Sequence, residues 1–146
     1  MTLLTRIGAA CALTVTIAAG VAYAQSDVIK ERQDGFQTMR KQLGAVKAAV
    51  EGGGPADAVI APAEAMVAYA ERIPTLFPAG SDSGDTKALA SIWTDRAGFE
   101  AAASNFRQAA QELADTGRSG DMDAVAAAFG DVGKACGACH NDYRGK

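Results

Sequence analysis

Ala135-Cys136-Gly137-Ala138-Cys139-His140-Asn141-Asp142-Tyr143-Arg144 lies near the C-terminal end of the sequence. It contains no proline and no β-branched residue, so it reads as helix. A helix turns ~100° per residue, which places Cys139 ~300° and His140 ~40° from Cys136. Two thiols and one imidazole therefore share an arc of roughly 100° on one helix face. The same helix extends back past Val132, Phe129 and Val125 to a start near Ser119 or Asp121.

Outward from this segment, the chain is rich in Ala, Glu, Gln, Lys and Arg and has no stretch alternating apolar with polar residues. That composition predicts an all-α fold. Four helices are expected. The first spans about Ser26 to Val50, capped by Ser26 or Asp27, with an inward stripe of Val28, the Arg32 stem, Phe36, Met39, Leu43, Val46 and Val50. Gly52-Gly53-Gly54 ends it. The second spans about Pro55 to Arg72 and turns Val59, Ile60, Met66, Val67 and Tyr69 or Ala70 inward. A loop over 73–84 carries Leu76 and Phe77, which should pack down. The third helix is expected from Asp85 to Thr116, with Leu89, Ile92, Trp93, Phe99, Phe106 and Leu113 as its large apolar residues and Gly117 as its cap. Short connections and one long loop predict an antiparallel four-helix bundle. Many inward positions are Ala or Gly, which bury little area. Such helices either pack very tightly or enclose a large flat apolar cofactor.

Cys136-x-x-Cys139-His140 is the attachment signature of c-type haem, in which two thiols add to the two vinyl groups and the histidine binds the iron. A thioredoxin-like redox pair would need a strand before the motif, and none is expected here. A zinc site would need a second pair of ligands, and His140 is the sole histidine. The sequence thus predicts one covalent haem c per chain, with no disulfide between the two cysteines.

The first 24 residues form a separate unit. One positive charge at Arg6, an apolar run from Ile7 to Val21 and the small-x-small triplet Ala22-Tyr23-Ala24 read as a secretory signal cleaved after Ala24. The run is too short for a membrane anchor. Cys11 falls inside it and would be discarded with it. The domain is then residues 25–146. The whole chain carries a formal net charge of −3, and loss of Arg6 makes it more acidic, so nucleic acid is a poor partner. No later segment approaches ~20 consecutive apolar residues, so no membrane partner is expected after cleavage.

With one histidine, two-histidine ligation within the chain is excluded, and methionine is the usual alternative. Met122 is roughly 27 Å along the helix from His140, too far to ligate. Met39 and Met66 stand at ordinary core spacing. Arg144, one turn after His140, can pair with haem propionates or touch the imidazole, or can equally stand in solvent beside the helix dipole. A peroxidase would need a distal acid–base group, and no second histidine is present; the expectation is a non-enzyme.

The whole of 25–146 resembles cytochrome c′, the class II c-type cytochromes. The resemblance rests on Arg32-Gln33-x-x-Phe36, on Leu76-Phe77-Pro78-Ala79-Gly80, on Ile92-Trp93, and on the run from Ala135 to Arg144. It implies a periplasmic four-helix bundle, usually a homodimer, with a five-coordinate high-spin haem. His140 would be the proximal ligand with Arg144 beside it, and Arg32 and Gln33 would meet the propionates. The position of Phe36 would face the distal side, where low-spin relatives have a ligating methionine. Thr86 and Lys87 would lie near the haem edge. The function implied is binding of nitric oxide or carbon monoxide, or transfer of single electrons to small redox proteins. A tight distal site with no donor to bound dioxygen accounts for such selectivity. The alternative is a six-coordinate low-spin electron carrier with Met39 as distal ligand.

Overall fold

The computed structural model describes the backbone of residues 15–146 and the side chains from residue 26 onward. The elements are α1 (Val15–Glu51), a 3-10 turn (Ala56–Val59), α2 (Ile60–Arg72), a second 3-10 turn (Ile73–Leu76), the short α3 (Ser91–Thr94), α4 (Arg96–Ser119) and α5 (Met122–Tyr143). The long helices α1, α2, α4 and α5 form the four-helix bundle, with α4 packed extensively against both α2 and α5. Among the described residues, no helix is long and apolar enough to cross a membrane.

Each boundary has a local cause. α1 ends where Gly53 takes φ 65° and Gly54 N donates to Ala49 O at 2.9 Å, a Schellman-type closure. α5 is capped by Asp121, whose carboxylate accepts from Asp123 N at 2.9 Å and Ala124 N at 3.1 Å. Part of the leader expected over 1–24 lies outside the described residues, and from Val15 the chain is already helical. Ser26 and Asp27 therefore sit inside α1 rather than capping it, since residues 22–25 contain no helix breaker.

The third helix departs most from expectation. It starts at Arg96 rather than Asp85, because Asp95 leaves helical geometry (φ −120°, ψ 58°) to accept Gly98 N on its own carboxylate. Residues 85–90 are consequently non-helical, Leu89 is exposed, and Ala88 forms an antiparallel bridge with Arg144. Gly117 is not the cap; Gly120, at φ 79°, is. Gly117 is instead buried inside α4, where a Cβ would lie 2.8 Å from Val59 Cγ2, so its bare Cα lets α4 and the turn before α2 approach.

The core runs along the bundle through Val46, Val59, Met66, Phe99, Phe106, Leu113, Val125 and Val132, with Ala63, Ala103 and Ala110 filling the close contacts. Leu76 and Phe77 are buried against it, as expected for the packed loop. Truncating a fully buried residue here, such as Leu113→Ala, costs about 2–5 kcal/mol.

Candidate functional site

Two facing stretches interrupt this core. In α1, Arg32 and Val46 are buried but nothing between them is; Phe36, Met39 and Leu43 on the inward face are half-buried. In α5, Val132 and Tyr143 are buried but nothing between them is; Ala135, Cys136 and Cys139 are half-buried, and His140 is exposed. α1 touches α5 only sparsely. The inward faces of both helices thus present apolar and sulfur atoms over the same span where the motif stands.

Cys136 and Cys139 are free thiols, not a disulfide. Burial pushes both thiols up, and Cys139 is raised further by Cys136 and Asp142. The His140 imidazole is held below its usual value, first by desolvation, then by the Arg144 and Arg40 cations. It is therefore neutral near pH 7 and offers a nitrogen lone pair, the form that ligates metals. Among the described residues, no three His, Cys, Asp or Glu side chains gather to hold a bare metal ion, so the pair has no zinc-type partners. Unpaired thiols three residues apart, a neutral imidazole and an apolar wall on α1 fit a covalently held haem.

Phe36 is positioned from behind. The Tyr69 ring meets it edge-on at a centroid distance of 5.3 Å. Tyr69 reaches this place because Gly35 has no side chain; a Cβ there would lie 2.2 Å from Tyr69 Cε2. The Tyr69 hydroxyl donates to Arg32 O at 3.0 Å, and burial raises its pKa to about 12.

Arg32 is buried, and its guanidinium is occupied by the fold. It donates to Ser81 Oγ at 3.2 Å, Ser81 O at 2.6 Å, Thr86 Oγ1 at 3.0 Å and, more weakly, Leu76 O at 3.5 Å, and it stacks on Phe77 at 4.6 Å. Burial lowers its pKa. Gln33 is exposed and donates to Asp85 O at 2.7 Å. Both residues therefore pin the segment leading to α3. Thr86 also accepts from Ala88 N at 3.1 Å. Lys87 accepts Gly145 N on its carbonyl at 2.7 Å, leaving its side chain exposed. Arg144 leaves the helix, extended, with its side chain exposed and close enough to lower the His140 pKa.

Of the methionines weighed as ligands, Met66 is only 1% exposed within the core, and Met122 opens α5 at the end opposite His140. Met39 is half-buried on the inward face of α1, packed against the core. Sequence reasoning missed Arg40, Ser81, Tyr69 as a support for Phe36, and the contact of Tyr143 with Asp95. Gly35 inside a long helix was the one visible hint of a close approach.

A sequence model described as Cytochrome C′ matches residues 27–144. A cytochrome c′ from Rubrivivax gelatinosus is 37% identical over 123 residues, covering 82% of this chain and 95% of the relative. A solved cytochrome c′ with ligand-controlled dimer dissociation superposes with a TM-score of 0.78 at 35% identity, covering 84% of this chain and 97% of the other. A nitric oxide complex of a cytochrome c′ variant from Alcaligenes xylosoxidans gives a TM-score of 0.75 at 32% identity, covering 84% and 97%.

Proposed function

The chain belongs to the cytochrome c′ family, whose members carry covalent haem c and bind gas ligands or carry electrons, and on that premise we propose that it is a periplasmic protein that binds nitric oxide or carbon monoxide at a five-coordinate haem iron. In this reading Cys136 and Cys139 hold the haem through thioethers and His140 is the iron's only protein ligand. The signal-like residues 1–24 support export. The haem supplies an iron that binds a diatomic ligand and cycles between ferrous and ferric states.

The observation that carries the reading is Phe36. It stands half-buried on the inward face of α1, with Tyr69 of α2 fixing its ring. A phenyl ring has no lone pair to give the iron and no hydrogen to donate to bound dioxygen. Over the iron it would exclude water and hinder larger ligands. His140, whose pKa desolvation and the Arg144 and Arg40 cations hold down, would ligate the iron from the other face. Arg32, Gln33, Thr86, Lys87 and Arg144 would meet the haem's acid groups along its edge; in the fold Arg32 and Gln33 hold the segment around Ser81 and Asp85.

The chain is also proposed to form a homodimer, as the ligand-sensitive relative does. Single-electron exchange with small redox proteins is the companion role of the same iron, and no enzymatic turnover is required for either. The test is a gas titration of the reduced holoprotein. Carbon monoxide and nitric oxide should each saturate at one per haem with a shift of the main absorption band. A spectrum indifferent to both gases would refute the proposal.

A further inference from the structure

The last turn of α5 holds His140, and helix ends are where backbone carbonyls lose their partners and fray. Here those of His140, Asp142 and Tyr143 are paired. His140 O accepts Arg144 N at 3.2 Å, Asp142 O accepts Ser91 Oγ at 2.7 Å, and Tyr143 O accepts Leu89 N at 3.1 Å. Gly145 N returns a bond to Lys87 O at 2.7 Å. The Tyr143 hydroxyl adds a bond to Asp95 Oδ2 at 2.8 Å, while Asp95 Oδ1 accepts Gly98 N at 3.2 Å and so caps α4.

Apart from the Arg144–His140 bond, they tie Asp142, Tyr143 and Gly145 to one place, the segment 87–95. The Tyr143 ring is buried against Phe99 at 5.4 Å, so its rotamer is fixed before the hydroxyl bonds. Gly98 is required: a Cβ there would lie 2.5 Å from the Tyr143 oxygen and 2.2 Å from Asp95 Oδ2. At the opposite end of α5, the first turn is held by the local Asp121 cap, whose carboxylate accepts from Asp123 N and Ala124 N.

We infer that Asp95 and Tyr143 are positioning residues for the axial histidine: they clamp the last turn of α5 to the start of α4 and so fix the direction in which His140 meets the iron. This rests on the reading of His140 as the proximal ligand. A clamped turn gives one imidazole orientation and one iron–nitrogen bond; a frayed turn gives several.

The holoprotein tests it. Tyr143→Phe keeps the ring and removes the bond. Asp95→Asn keeps one oxygen to accept from Gly98 N and an amide that can donate to the Tyr143 oxygen, and should recover part of what Asp95→Ala loses. Asp121→Ala removes the cap at the far end of the same helix and controls for general loss of stability. Resonance Raman of the ferrous protein reads the iron–histidine stretch, and hydrogen exchange reads the amides of 141–144. In Tyr143→Phe and Asp95→Ala the stretch should shift and broaden, and protection at 141–144 should fall roughly tenfold. In Asp121→Ala the stretch should stay as in the parent. An unchanged stretch in Tyr143→Phe, or an equal change in Asp121→Ala, would overturn the inference while leaving the ligand assignment intact. A parent protein with no iron–histidine stretch would instead overturn the assignment, and the inference with it.

Discussion

Tyr69 donates its hydroxyl to the Arg32 main-chain carbonyl at 3.0 Å while its ring braces Phe36 at 5.3 Å, so one α2 side chain holds two consecutive turns of α1 beside the candidate site. Because burial raises the Tyr69 pKa to about 12, the folded state keeps this proton where the unfolded chain, near pKa ~10, would release it. The stability gained is complete below pH ~10 and is lost as pH climbs towards about 12. Urea denaturation followed by far-ultraviolet circular dichroism should show the midpoint falling over that window. In Tyr69→Phe the fall should be shallower, with a midpoint at pH 8 lowered by about 1 kcal/mol of stability. An equally steep fall in Tyr69→Phe would assign the alkaline loss to other groups.

Arg32 joins α1 to a segment about fifty residues away. Arg32→Ala leaves the Ser81 and Thr86 acceptors without their donor and should destabilise the protein by about 3 kcal/mol. Arg32→Lys should recover little, because a point ammonium cannot reproduce the forked contacts. Limited proteolysis gives the local signature: cleavage should appear first within 77–90. A variant as resistant there as the parent would contradict the clasp.

Helix identity was legible in this chain, and the junctions were not. The spacing of Phe99, Phe106 and Leu113, and the apolar Leu76-Phe77 pair, reported burial correctly because periodicity is a local property. The start of the third helix was misplaced by eleven residues because Asp95 has two roles, cap and acceptor for Tyr143, and the second comes from a residue far along the chain. Gly117 looked like a stop signal, yet its reason is the approach of Val59. For the site, the Cys136-x-x-Cys139-His140 motif was plain because its chemistry demands contiguous residues. Arg32 was visible as a charge on an apolar face, but its acceptors are main-chain oxygens and Ser81, which no local pattern announces.

Thioether attachment makes a direct prediction. Haem should remain with the polypeptide in acidified acetone, and intact mass should exceed that of the bare chain by one haem. Cys136→Ala and Cys139→Ala should each leave a single thioether and shift the reduced pyridine spectrum to longer wavelength. Free extraction of haem from the parent would refute the bonds.

For the dimer, α1 carries Ala45 and Ala48 exposed on its outer face, with Ala58 exposed at the turn before α2. Such small side chains permit close approach of helices. Sedimentation at micromolar concentration should show twice the chain mass. Ala48→Arg should yield monomers with an unchanged haem spectrum. A parent that sediments as a monomer at every concentration would reject the interface.

The central claim is that His140 is the iron's only protein ligand and that Phe36, not Met39, stands on the other side. Resonance Raman combined with magnetic circular dichroism on the unmodified ferrous and ferric protein decides it. The account predicts five-coordinate high-spin iron in both states. Phe36→Ala should speed carbon monoxide binding, and Phe36→Met should introduce a low-spin fraction. Six-coordinate low-spin iron with a methionine–iron charge-transfer band in the unmodified protein, lost on Met39→Leu, would contradict the account.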